Sequence, residues 1–206
     1  MRIIEKTVKE IKTLQIQGAT AIAKAALDAL AKEGARIQDT KILTRKIQEL
    51  VTARPTEPLT QNCLNYVLWR VEKGQSLKQT IRLILARLED VEREIVENAL
   101  ALFKPGVKIL THCHSETVEE ILKMAQKKEF VPHVFLTETR PKYQGRITAK
   151  NLLAAGLKVT LVTDSEAAFL VSREDQQEID LVILGADAIG VDGSAFNKVG
   201  SYGIAL

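Results

Sequence analysis

At Lys104-Pro105-Gly106 the spacing of apolar residues changes, and that change limits the possible folds more than any other feature of the chain. From residue 2 to about residue 102 the apolar side chains recur at intervals of three and four, the period of an amphipathic helix. Gly18, Gly34, Pro55, Pro58 and Gly74 fall only where such helices would start or stop. Beyond the Pro-Gly step, short β-branched runs alternate with helical stretches, which is the pattern of β-α-β units. The chain is therefore expected to be α/β, with a helical domain over residues 1–103 and a parallel-sheet domain over residues 104–206.

The clearest helix is expected from residue 76 to about residue 103, where Leu77, Ile81, Ile84, Leu88, Val91 and Ile95 step by four and three. Strands are expected at residues 107–112, 133–137, 158–163 and 180–184. Helices are expected between them at 116–128, 147–155 and 165–171. Each connection is long enough for a right-handed crossover, so the strands should lie parallel under a cover of helices, in a Rossmann-like arrangement. Asp192-Gly193 marks a hairpin turn after the fourth strand, and another helix should begin near Gly200.

Composition excludes several classes of function. Of 206 residues, 46% are hydrophobic, enough to bury a core and rule out a disordered chain. The 29 Lys and Arg against 26 Asp and Glu give a formal charge of +3 with no basic block, so charge implies no nucleic-acid partner. No run approaches the roughly 18 apolar residues of a membrane span, so no membrane partner is expected. Cys63 and Cys113 are too few for a disulfide scaffold and suggest a reducing compartment such as the cytosol.

Ligands of open parallel sheets sit beyond the carboxyl ends of the strands, and here those ends are polar. They read Thr111-His112-Cys113-His114-Ser115, Thr137-Glu138-Thr139-Arg140, Thr163-Asp164-Ser165 and Gly185-Ala186-Asp187. Cys113 should face a helix N-terminus, whose positive end favours thiolate, which makes it a candidate acid or base. Cys63, within a helical run, reads as core. A metal held by His112, Cys113 and His114 together is not expected, because strand neighbours point to opposite faces. No metal and no cofactor are therefore expected. Helix N-termini near His114, Gln144-Gly145-Arg146 and Asn197-Lys198 offer donors for two phosphates, with Arg140, Arg146 and Lys198 along the same edge.

The segments Thr111-His112-Cys113-His114-Ser115, Glu138-Thr139-Arg140-Pro141, Asp164-Ser165, Gly185-Ala186-Asp187 and Asn197-Lys198-Val199-Gly200 resemble one family in order and spacing. It joins the initiation factor 2B regulatory subunits, methylthioribose-1-phosphate isomerase and ribose-1,5-bisphosphate isomerase. Gln17-Gly18-Ala19-Thr20 and Thr52-Ala53-Arg54-Pro55 resemble its two N-terminal ligand-contacting segments. Cys113 separates the isomerases from the initiation-factor subunits, and its flanking residues are most similar to the bisphosphate isomerases.

The resemblance implies an aldose–ketose isomerase acting on a small-molecule sugar phosphate, ribose 1,5-bisphosphate, with Asp187 as acid and Cys113 as base. A raised carboxyl pKa at Asp187 is expected from burial in an apolar crevice. Implied substrate contacts are Gln17, Gly18, Ala19, Thr20, Arg54, His114, Ser115, Glu116, Asn197 and Lys198. Where the family commonly has Arg, Gln17 removes a charge-assisted phosphate contact. The resemblance also implies a homo-oligomer, a dimer or hexamer at full length. It further implies a chain that stops before the family's last strands and a substrate-contacting lysine, leaving apolar surface and an unpaired edge. The alternatives are a regulatory subunit that binds a sugar phosphate or nucleotide without turnover, and a methylthioribose-1-phosphate isomerase.

Overall fold

A computed structural model describes residues 2–34, 37, 39–130, 132–172 and 179–206. Residue packing divides the chain into two compact units, Met1–Val91 and Glu92–Leu206.

The first unit is helical, as the three-and-four spacing requires: α1 (Ile3–Lys12), α2 (Ala19–Gly34), α3 (Thr40–Val51), α4 (Pro58–Glu72) and the first turns of α5 (Leu77–Leu100). Each helix turns one apolar stripe inward, as with Ile4 and Ile11 of α1 or Leu43, Ile47 and Leu50 of α3. Their ends follow local chemistry. The Asp39 carboxylate caps α3 by accepting from the Lys41 amide at 2.8 Å, and Pro58 opens α4, where its missing N–H costs nothing. Leu27, Leu30, Leu64 and Ile81 meet in the core and are sealed from solvent. Each such side chain contributes about 1.5–3 kcal/mol by transfer from water.

The second unit is a four-stranded parallel sheet of β1 (Lys108–Thr111), β2 (His133–Thr137), β3 (Lys158–Val162) and β4 (Leu181–Val182), in the order β3-β2-β1-β4. Alternation sends Ile109 and Val134 to one face, under α6 (Glu116–Lys127) and α7 (Gln144–Ala154). Leu110 and Phe135 point to the other face, under α8 (Ala167–Val171) and α9 (Ser201–Ala205). A separate two-residue antiparallel pair, β5 (Ala188–Ile189) with β6 (Ala195–Phe196), closes over the expected Asp192-Gly193 turn.

The observed elements match the expected ones in kind and order and differ at their ends. α7 starts at Gln144, not 147, because Tyr143 enters the left-handed region (φ 54°) and breaks the chain direction there. The 165–171 segment opens as a 3₁₀ turn at Asp164–Glu166 before α8. β4 is short, although its pairing extends to Ile183, whose amide donates to the Leu110 carbonyl at 3.0 Å.

The chain adds β2 and β3 on one side of β1 and then crosses to place β4 on the other. The topological switch point therefore lies between β1 and β4, which puts the crevice of an open α/β sheet at their carboxyl ends.

Candidate active site

Cys113 follows β1 at that switch point. It is 7% exposed and adopts a left-handed backbone (φ 71°), uncommon outside glycine, which turns the chain sharply off the strand axis. Its amide donates to Thr139 Oγ1 at 2.9 Å, and its Sγ lies 3.7 Å from Gln144 Oε1 at the start of α7. Burial pushes the thiol above its ordinary range. A hydrogen bond from the His114 amide and the Lys198 charge pull the other way, and Asp187 and Asp164 push it further up. The expected thiolate is thus corrected: loss of water outweighs the dipolar and cationic help. Lys198, Asp187 and Asp164 all lie close enough for their charges to act on the sulfur.

The two flanking histidines face away from Cys113. His112 Nε2 lies 2.9 Å from the Val199 carbonyl, which can only accept, so the proton sits on Nε2 and Nδ1 accepts from the Thr137 hydroxyl. This pins residues 197–200 to the ends of β1 and β2. Gly200 (φ 108°) fits beneath the ring because a Cβ there would come within 3.0 Å of Nε2.

His114 tucks between α6 and α7, with Nδ1 2.9 Å from both Glu119 Oε1 and Thr148 Oγ1. Glu119, 3% exposed, also accepts from Asn151 Nδ2 at 2.9 Å and lies 3.4 Å from Lys123 Nζ. Burial alone would raise the Glu119 carboxyl, but hydrogen bonds from His114, Asn151 and Thr148 outweigh it and hold the group below its ordinary value. A depressed carboxylate adds stability above its unfolded pKa of about 4.3, and that stability is lost as pH falls through the lower folded value. Acid titration of folding is therefore expected to show an acid limb that flattens in Glu119→Gln, which is also less stable at neutral pH. Identical acid limbs for the two proteins would remove this account. The buried acid beside Val118, Ile121 and Leu122 was the one signal in the sequence for this cluster.

Ser115 caps α6, its Oγ accepting from the Val118 amide at 3.3 Å, and Glu116 opens that helix at the surface. A Cβ on Gly185 would stand 3.0 Å from Ser115 Oγ and 3.9 Å from Asn197 Oδ1, so Ser115, Gly185 and Asn197 converge where β1, β4 and the hairpin meet. Asn197 Nδ2 donates to Ser201 Oγ at 2.8 Å.

Asp187 opens the β5–β6 hairpin, its amide donating to the Phe196 carbonyl at 2.7 Å, and its side chain is exposed. Contrary to the expectation, among the described residues no apolar crevice encloses it, and it stands exposed at the root of the hairpin. Arg140 and Arg146 both lie over the Tyr143 ring, at 4.8 and 4.0 Å, and Arg146 is tied to Glu138 at 2.7 Å. Of the three basic residues on this edge, Lys198 is the one that acts on Cys113.

In the first unit, Gln17, Gly18, Ala19 and Thr20 make the turn into α2, with Gly18 left-handed (φ 88°) and Gln17 Nε2 donating to the Leu14 carbonyl at 2.9 Å. Arg54 lies in the α3–α4 turn, 3.6 Å from Glu57. Ile16, Ile22 and Ala53 share one small apolar cluster, which brings these two segments side by side within the unit.

A model of the Initiation factor 2 subunit family matches residues 13–206. Ribose 1,5-bisphosphate isomerase of Methanocaldococcus jannaschii is 36% identical over 216 residues, covering 100% of this chain and 68% of that protein. Methylthioribose-1-phosphate isomerase of Bacillus licheniformis is 35% identical, covering 95% of this chain and 61% of that protein. Among solved structures, the Pyrococcus horikoshii OT3 translation initiation factor eIF-2B superposes with a TM-score of 0.84 at 28% identity, over 98% of this chain and 72% of that one. The chain thus spans about two thirds of the length of the curated relatives it matches. A match that runs through both units, from residue 13 to the last helix, makes this chain a member of the initiation factor 2 subunit family.

Proposed function

We propose that this protein is an aldose–ketose isomerase that converts ribose 1,5-bisphosphate to ribulose 1,5-bisphosphate, with residues 104–206 as its catalytic domain and residues 1–103 as a helical domain. The observation that carries this reading is the thiol of Cys113 at the switch point with Lys198 and Asp187 in electrostatic reach. The names of the archaeal relatives supply the substrate.

The chemistry explains why both groups are needed. In an aldose 1-phosphate the ring oxygen must leave C1 before C2 and C1 can exchange hydrogen. Asp187 donates a proton to that oxygen as the C1–O bond breaks. Cys113, as thiolate, takes the proton from C2, the resulting thiol exchanges its proton with solvent and then protonates C1, while the C2 hydroxyl proton replenishes Asp187. Substrate and product then carry the same atoms, and no electron acceptor is required. Asp187, exposed in the free protein, acts in the substrate complex, and Lys198 favours the thiolate at the moment it is needed. The same reading places the protein in the cytosol, in nucleotide salvage, as a homo-oligomer; sedimentation at monomer mass would remove that last part.

Incubating the whole chain with ribose 1,5-bisphosphate in D2O is expected to yield the ketose with deuterium at C1, and Asp187→Asn to slow it on the order of a hundredfold. Ketose without deuterium would overturn the exchanging proton route and leave hydride transfer or direct return of the C2 proton. The second reading is a non-catalytic sensor of a sugar phosphate or nucleotide. It is favoured by the burial that keeps Cys113 protonated, and it wins if the chain binds the sugar phosphate without converting it.

A further inference from the structure

The exit of β3 is tied to Cys113 by a chain of contacts that the chemistry above does not use. Asp164 accepts two hydrogen bonds from consecutive amides, Thr139 N–H to Oδ1 and Arg140 N–H to Oδ2, each 2.7 Å. Two short bonds to one charged carboxylate are stronger than neutral ones and fix both position and orientation.

Thr139 needs that grip. It is 1% exposed and left-handed (φ 61°), a conformation that a β-branched residue rarely adopts and that persists only where its surroundings over-determine it. Its hydroxyl, in turn, accepts the Cys113 amide at 2.9 Å, and Cys113 is itself left-handed. Two unfavourable backbone conformations, on the exits of neighbouring strands, are thus joined by one hydrogen bond and anchored to the third strand by one carboxylate.

We infer that Asp164 is a positioning residue for Cys113, acting through Thr139: its carboxylate holds Thr139 in the left-handed conformation, and the Thr139 hydroxyl holds the Cys113 backbone so that the sulfur faces the crevice. The inference rests on the reading of Cys113 as the base. It differs from a capping role for Asp164, which would steady the 138–140 loop without reaching the sulfur, and from a purely Coulombic role, which would not depend on Thr139.

A double-mutant cycle on the whole chain separates these roles. Asp164→Asn and Thr139→Val are each expected to lower kcat for ribose 1,5-bisphosphate about a hundredfold, with KM within about threefold, because the misplaced group takes part in the chemical step and not in binding. The double variant falls no further than the worse single one, and Thr139→Ser, which keeps the hydroxyl, retains most of the native kcat. Multiplicative losses in the double variant, a native kcat in Asp164→Asn, or an effect confined to KM would each overturn the inference. Should Asp164→Asn fail to fold, the Val and Ser variants at 139 decide it alone: equal kcat in the two overturns it.

If the native chain shows no turnover, the isomerase reading fails. The cycle is then read from the iodoacetamide alkylation rate of Cys113, followed on its own peptide to exclude Cys63. Rate changes that do not multiply uphold the link, and independent changes overturn it.

Discussion

Cys113→Ser is expected to convert ribose 1,5-bisphosphate about a thousandfold more slowly than the native chain, with KM within about threefold. The hydroxyl occupies nearly the same space beside Gln144 and leaves the Cys113 amide bond to Thr139 untouched, so the substrate finds the same crevice. What changes is basicity at the operating pH. A thiol, even one pushed up by burial, reaches its anion within the range a nearby lysine can favour, and an alkyl hydroxyl does not. Because the thiol stands above its ordinary value, kcat/KM of the native chain should climb toward alkaline pH, and the serine variant should lose that limb. Steady-state kinetics across pH tests both; a serine variant that keeps more than about a tenth of native turnover rules out Cys113 as the base.

The second large effect is structural. A methyl group on Gly145 would stand 1.9 Å from the Thr137 carbonyl oxygen and 3.0 Å from its carbon, both backbone atoms at the end of β2. No rotamer relieves such a clash, so the first turn of α7 must withdraw from the strand. Gly145→Ala is therefore expected to cost about 3 kcal/mol and to lower the melting temperature by about 10 °C. Gln144 departs with the turn, so Cys113 loses its neighbour as well. Gly203→Ala is the control: nothing lies within 4 Å of the added methyl, and melting should shift by less than about 2 °C. Scanning calorimetry of the two variants checks this, and equal melting points would contradict the packing described for Gly145.

The alternation of apolar runs located the four main strands and the helices between them, because burial on both faces of a parallel sheet selects β-branched residues at those places. It also showed the polar strand exits, and so the neighbourhood of the site. It did not show how the chain turns there. Cys113, Thr139 and Tyr143 are all left-handed without being glycine, and such conformations are imposed by distant partners like Asp164 that no local pattern records. The same limit explains the two corrections. The helix dipole near Cys113 was legible, but the depth of its burial was not, and burial decides the thiol's state. Its place at a strand exit suggested a crevice that would bury Asp187, whereas it stands exposed at the root of the β5–β6 hairpin.

Among the described residues that hairpin shares no ladder with the main sheet: β5 pairs with β6, and the ribbon bears Asp187 at one root and Asn197-Lys198 at the other. The molecule thereby separates the sheet, at whose edge the sulfur is seated, from an appendage that carries Asp187, the proposed proton donor, and Lys198. Sequence change confined to this ribbon would therefore alter what stands beside the sulfur and leave the pairing of the four main strands intact.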